Sequence, residues 1–320
     1  MIKKKLLIFP YDANSYGIVR HLIETDNLVT VCSFVGSGLI ERDVAYAVNQ
    51  KELGIKVKLF SKELLEGIDT VLILRYKFSE SVNMIAVKII EEAMRDNSID
   101  IRIDFGLNEF DNYMAEISRS ECNLSKIDMS GEFNYYHTEV PIVAVGGLFE
   151  TTDLSWIMIG VKNQLRKLGY KTITISNDCL NVLNESYAYP RDFISEKNSI
   201  ENRIMLLNQY IKKVVLFEKP DIILLQITGG MMRFNDKYVN SFGSYAYMIS
   251  EAIAIDYFIY STPKNIFDIS KLDELAIYFE SRYGFCLESV HLSNILVNTQ
   301  NLSSHSKCLE IKSLLAQSAY

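Results

Sequence analysis

The chain of 320 residues has no long basic run: apart from Lys3–Lys5, its 33 Lys and Arg are scattered among 40 Asp and Glu, for a formal net charge of -7. A nucleic-acid binder needs a basic face to displace counterions from phosphates, so that class is excluded. Proline and glycine are sparse, at 5 and 15 residues, while apolar residues make up 48%. That excludes a low-complexity or disordered chain. No stretch of about 18 uninterrupted apolar residues occurs, which excludes a membrane-spanning helix. Met1–Phe9 passes from a charged start straight into a strand-like run and does not read as a signal peptide, so the expected location is the cytoplasm. The cysteines are five, Cys32, Cys122, Cys179, Cys286 and Cys308, odd in number and widely spaced. With no C-x-x-C pair, a zinc site or redox disulfide is not expected, and buried free thiols are.

What is present is alternation. Short β-branched runs alternate with longer segments of helical period, the pattern of parallel sheets with crossover helices. In the first half, strands are predicted at 6–10, 28–34, 55–60, 70–74 and 99–105. A helix is predicted over 81–96, where Val82, Ile85, Ala86, Ile89, Ile90 and Ala93 share one face. Periodicity fades from Gly106 to Glu139. The alternation then resumes with strands predicted at 141–145, 172–175, 221–227, 255–260 and 287–297. Leu154, Ile157, Val161, Leu165 and Leu168 form one helical stripe, closed by Gly169, and Ile204, Leu207, Ile211, Val214 and Val215 form another. The expected fold class is α/β, with two tandem doubly wound, mainly parallel-sheet domains. Residues 1–106 form a Rossmann-like or flavodoxin-like domain, 107–139 a connector, and 140–320 a degenerate P-loop-like domain.

In such sheets ligands bind beyond the carboxyl ends of the strands, so the loops there carry the functional question. Val143-Ala-Val-Gly-Gly-Leu-Phe-Glu-Thr-Thr-Asp-Leu-Ser155 has the layout of a phosphate loop: strand, glycine pair, polar loop, amphipathic helix. The candidates are Gly146, Gly147, Glu150, Thr151, Thr152 and Asp153. Against G-x-x-x-x-G-K-[ST], Gly147 fits the first position. Thr152 then stands for the second glycine, Asp153 for the lysine and Leu154 for the magnesium-binding hydroxyl. A carboxylate there repels a polyphosphate. Nucleotide is thus the one cofactor the loop suggests, against its own charge, and no cofactor is firmly predicted. The alternative is that Thr152 or Asp153 simply N-caps the following helix. In the second loop, after strand 221–227, Gln226 and Thr228 occupy the end where a magnesium-holding Asp would stand. Gly229-Gly230 either lets a ligand approach the backbone or makes a tight turn, and Arg233 and Asn235 supply donors nearby.

In the first half, Asp12 and Ser15 follow the first strand and either cap a helix beginning near Tyr16 or leave N–H groups for an anion. The G-x-G-x-x-G fingerprint is absent. Gly36-Ser-Gly38 reads as a turn or as the other wall of the same crevice. The histidines, His21, His137, His291 and His305, show no ligand spacing, and no G-x-S-x-G elbow exists. No metal site is expected, and a hydrolase triad only from residues that meet in three dimensions.

Several blocks resemble bacterial peptide maturation system proteins: Leu7-Ile-Phe-Pro-Tyr-Asp12, Ile18-Val-Arg-His21, Pro141 to Asp153, Leu165-Arg-Lys-Leu-Gly-Tyr-Lys171, Ile173-Thr-Ile-Ser-Asn177 and Pro220 to Asn235. The resemblance implies an accessory component in maturation of a ribosomally made peptide natural product. Its implied partners are a precursor peptide, a radical SAM enzyme and an acyl-carrier-related protein. Thr152-Asp153-Leu154 departs from the Thr-Gly-Lys reading more usual in that family. Two other functions stay open: a nucleotide-dependent transferase or ligase using the Gly146/Gly147 loop, and a purely structural module, with homodimerisation possible in any case.

Limited proteolysis is expected to cut first between Gly106 and Glu139, leaving two stable fragments, because this stretch contributes least to either core. A first cut within Leu154–Ile175 would show the boundary to be misplaced.

Overall fold

The computed structural model describes residues 3–294 except 49, 75–79, 97, 105–133, 150–151, 178, 184–185 and 237–238. The chain divides into two units. One takes described residues 3–104 together with 179–183, the other 134–177 and 186–294.

The first unit has strands β1 Lys5–Phe9, β2 Leu28–Ser33, β3 Val57–Leu59, β4 Thr70–Ile73 and β5 Asp100–Ile103. They form one sheet in the order β3-β2-β1-β4-β5, every pair parallel. Helix α1, Tyr16–Glu24, follows β1, and α2, Glu80–Met94, joins β4 to β5. The apolar stripe of α2 is the predicted one. Val82, Ala86, Ile89, Ile90 and Ala93 are buried against Leu7, Phe9, Val71 and Ile73, with Ile85 at the margin.

The second unit has β6 Ile142–Gly147, β7 Thr172–Ser176, β8 Ser186–Ala188, β9 Ile222–Gly230, β10 Tyr257–Pro263 and β11 Leu287–Ser293. The sheet order is β11-β10-β6-β9-β7-β8, again all parallel. Its helices are α3 Leu154–Lys167, the single turn α4 Arg191–Ile194, α5 Ile200–Glu218, α6 Ser244–Ala252 and α7 Leu272–Tyr283. The doubly wound α/β class read from the sequence is therefore the observed one. In α3 the predicted stripe fails at its end: Leu168 is 73% exposed. The helix has already stopped, with Gly169 at φ 91° donating to Arg166 O and Tyr170 N to Leu165 O. This is the glycine-terminated end expected of such a residue.

Two predicted boundaries need correction. Both glycine pairs lie inside strands, Gly146-Gly147 in β6 and Gly229-Gly230 in β9, and not in loops after them. Three-residue β8 escaped detection because Ser-Tyr-Ala is too short for any period to show. Of the connector expected at 107–139, only 134–139 belongs to the described residues. That part is held to the second unit by buried Asn208 of α5, whose amide accepts from Tyr136 N at 2.9 Å and donates to Tyr136 O and Ala252 O at 2.8 Å.

Of the cysteines expected to be buried thiols, Cys32 is fully buried in β2, whereas Cys286 is exposed just before β11. Cys122 and Cys308 lie outside the described residues. Burial pushes the Cys32 thiol up to about 12, so it stays protonated at physiological pH. Iodoacetamide at pH 8 should therefore label Cys286 and spare Cys32 in the native protein, as read by peptide mapping. Equal labelling rates at the two would contradict the packing around β2.

Candidate functional site

The carboxyl edge of the second sheet gathers the residues of interest, and topology explains why. From β6 to β7 the chain moves one way across the sheet, and from β9 to β10 it moves back. Right-handed crossovers then place α3 and α6 on opposite faces. Accordingly, the buried cluster on one face draws on α5, α6 and α7 but not on α3. Neighbouring strands whose chains diverge to opposite faces define the crevice where open α/β sheets bind ligands.

At that edge the glycine pairs bring backbone and side chains together. Gly147 is the register partner of Gly230, and Met231 N donates to Gly147 O at 3.0 Å. A Cβ on Gly146 would lie 2.7 Å from Met231 Sδ. On Gly147 it would lie 2.2 Å from Thr152 Oγ1, and on Gly230 2.5 Å from Asn240 Cβ and 2.7 Å from Leu148 O. Thus the space beside Gly147 is filled by buried Thr152, whose hydroxyl donates to Phe149 O at 2.8 Å. The space beside Gly230 is filled by Asn240, whose Nδ2 donates to Leu148 O at 2.8 Å and Met232 O at 3.0 Å. One amide thereby fastens the segment after β6 to the segment after β9, and Phe149 against Phe234 adds an edge-on ring contact at 5.4 Å. Gly229, at φ 76°, is covered differently, with Tyr245 Cδ2 3.2 Å from its missing Cβ.

Asn240 begins a run of four residues with left-handed backbone, Asn240, Ser241, Phe242 and Gly243, at φ 46°, 51°, 53° and 71°. Three of these carry side chains, a conformation that persists only where surroundings impose it. Here Tyr283 Oη donates to Met231 O at 2.8 Å, and Arg282 Nη2 to Phe242 O at 2.9 Å. Burial raises the Tyr283 hydroxyl to about 12, so it stays a donor at physiological pH.

Asp153 occupies the N-cap position of α3 in left-handed conformation, at φ 57°, yet its side chain makes no capping bond. The capping alternative is corrected for both candidates, since Thr152 bonds to Phe149 O and Asp153 turns toward β11. Its Oδ2 accepts from Ser293 Oγ at 2.7 Å and lies 3.4 Å from His291 Nε2. The position that a phosphate loop gives to lysine is thus filled by a carboxylate engaged with a histidine and a serine. The serine hydroxyl donates to the carboxylate, whereas in the relay order of a hydrolase triad it donates to the imidazole. Glu150 and Thr151 lie outside the described residues.

Asn177, just beyond β7, donates from its side chain to Thr228 Oγ1 at 3.2 Å and from its backbone N to Gln226 Oε1 at 3.2 Å. These groups make a polar row along the ends of β7 and β9. Arg233 is 57% exposed and pairs with Asp236 at 3.2 Å, while Asn235 is exposed beside it. In the first unit Asp12 caps the short 3-10 turn Ala13–Ser15 that leads into α1, accepting from Ser15 N at 3.0 Å and Ser15 Oγ at 2.8 Å. Burial raises the Asp12 carboxyl and the Ser15 bonds oppose it. Ser15 sits at the N-cap of α1 without a side-chain cap bond, so its share of the expected capping is corrected. Gly36 and Gly38, at φ 96° and 73° with open space around them, make a turn.

Sequence reasoning passed over Asn240, Tyr245 and Ser293, and set His291 aside for want of ligand spacing; His291 and Ser293 are the pair that meets Asp153. They come from an edge strand some 140 residues after Asp153, a meeting that no local spacing announces. Asn240 did leave a trace: asparagine tolerates left-handed backbone, and Gly243 follows closely. Among the described residues no group of three or more His, Cys, Asp or Glu is placed to hold a metal ion, and no helix is long and apolar enough to cross a membrane.

No protein-family model matches the chain, and no curated protein matches it. Among solved structures it is similar to a DUF1611 family protein from Anabaena variabilis ATCC 29413, at 7% identity and a TM-score of 0.57. The match covers 91% of this chain and 87% of the other. That likeness is one of fold, spanning both units in a single chain.

Gly147→Ala and Gly230→Ala should each lower stability by about 1–3 kcal/mol, because the added methyl meets backbone or packed side-chain atoms at under 3 Å. Exposed Gly160, inside α3 with open space at its Cβ position, should respond oppositely, gaining roughly 0.5–1 kcal/mol as Ala. Urea unfolding of the three variants checks both signs.

Proposed function

We propose that the protein is an accessory recognition component of a ribosomal peptide maturation system, which holds a precursor peptide, carrier protein or small anionic ligand at the carboxyl edge of its second sheet. The observation carrying this reading is convergence. The blocks that resemble the maturation-system family, 141–153, 173–177 and 220–235, are separate in sequence but belong to β6, β7 and β9 with their following segments. These strands are consecutive in the sheet, in the order β6-β9-β7. Their ends bring Thr152, Asp153, Asn177, Thr228 and Arg233 to one edge. Exposed Arg233 offers a guanidinium to an anionic group, while the buried residues beneath it hold the edge in shape.

Recognition is favoured over nucleotide chemistry by the occupants of the phosphate-loop positions. Thr152 fills the space at Gly147, and Asp153 puts negative charge where a triphosphate needs a cation. The location expected for such a component is the cytoplasm.

Isothermal calorimetry with Mg-ATP should give no binding heat, and a micromolar Kd would instead support the transferase or ligase. Arg233→Ala should leave the melting temperature almost unchanged, since an exposed ion pair contributes roughly 0–1 kcal/mol. It should nevertheless reduce peptide maturation in the host. Full maturation by this variant would remove Arg233 from the recognition surface.

A further inference from the structure

Arg203, in the second turn of α5, is 8% exposed, although arginine is rarely buried without an anion. Its Nε donates to Phe193 O at 2.6 Å. Its guanidinium carbon lies 5.2 Å from the ring centre of Tyr245 and 5.8 Å from that of Phe193. Nη2 is shielded from solvent and has no hydrogen-bond partner, and no carboxylate among the described residues forms an ion pair with Arg203. A guanidinium stays charged at every physiological pH, and the two rings compensate it only in part. The fold therefore contains a desolvated cation with a donor to spare.

Its surroundings connect it to the carboxyl edge. Tyr245, which covers Gly229 at the end of β9, donates through Oη to Ile194 O at 3.1 Å. Phe193 stacks on Tyr189 at 5.2 Å, and Tyr189 Oη donates to Gln226 O at 2.8 Å. Arg203 lies near the amino end of α5, where the helix dipole also favours negative charge.

We propose that Arg203 is a second anion-binding residue of this edge, besides Arg233, and takes a carboxylate of the recognised ligand; the assignment rests on the recognition reading above. A planar carboxylate matches the planar fork of one guanidinium between aromatic walls, whereas a phosphate calls for more donors than this position supplies. Because Nη2 is closed to water, entry requires the ring of half-buried Tyr245 to swing aside, breaking its bond to Ile194 O.

The test compares the wild type with Arg203→Met and Arg203→Lys in thermal melts. The probes are acetyl-diglycine, with a free terminal carboxylate; acetyl-glutamyl amide, with a side-chain carboxylate; acetyl-diglycine amide, with none; and inorganic phosphate. The wild type should be stabilised by one or both carboxylates and not by the amide, and the shift should vanish in both variants. Whichever carboxylate gives the larger shift identifies a chain terminus or an acidic side chain as the source. Without probe, Arg203→Met should melt no lower than the wild type, since the charge it removes is unpaired. A large fall in its melting temperature, equal shifts in the variants, no carboxylate shift in the wild type, or a larger response to phosphate would each overturn the assignment. Host maturation separates the two readings: if Arg203→Met matures peptide normally while Arg233→Ala does not, recognition at this edge stands and the Arg203 site falls.

Discussion

The close approach of two backbones at Gly147 and Gly230 is the constraint on which the second unit depends. β6 and β9 are the central pair of its sheet, and a side chain at either glycine would collide with Thr152, Asn240 or the Leu148 carbonyl. With hydrogen there instead, Asn240 can reach across and bond to both Leu148 O and Met232 O. The left-handed run from Asn240 to Gly243 follows from this, since the chain has to turn sharply to bring the amide inward before α6 begins. Its conformational cost is offset by Tyr283 and Arg282, which bond to Met231 O and Phe242 O.

That packing also decides what the edge has to offer. Glycines beside a strand end often leave backbone bare for a phosphate, but here protein groups fill the space. On the proposed reading, the groups left to meet a ligand therefore lie outward and sideways. Arg233 stands on the surface beyond β9, Asn177 and Thr228 line the neighbouring strand ends, and Asp153 is turned toward Ser293 and His291 of β11. On the proposed reading these groups serve recognition of an anionic or peptide partner, with the Asp153 carboxylate at the position a phosphate loop gives to lysine.

Much of the fold was legible because burial imposes period. The α2 stripe at Val82, Ala86, Ile89 and Ile90, the apolar run of β1, the β-branched runs of β4 and β9, and Gly169 as a helix terminator each report a local constraint. The extension of β6 and β9 through their glycines was not legible, since glycine is ordinarily a strand breaker and only the partner strand explains its presence. The site divides along the same line. Thr152, Asp153, Thr228 and Arg233 could be named from strand-end position alone, but their roles depend on residues far away in sequence. Asp153 resembles a helix cap until Ser293 and His291 are placed beside it. Arg203 resembles an ordinary polar residue on an amphipathic helix until Phe193 and Tyr245 close over it.

The central claim, that partners are held at the carboxyl edge of the second sheet, is tested most directly by hydrogen–deuterium exchange with and without a candidate precursor peptide. The account predicts added protection in residues 144–149 and 226–236, with little change in the first unit's sheet. Protection confined to the first unit, or no protection at saturating peptide, would contradict it.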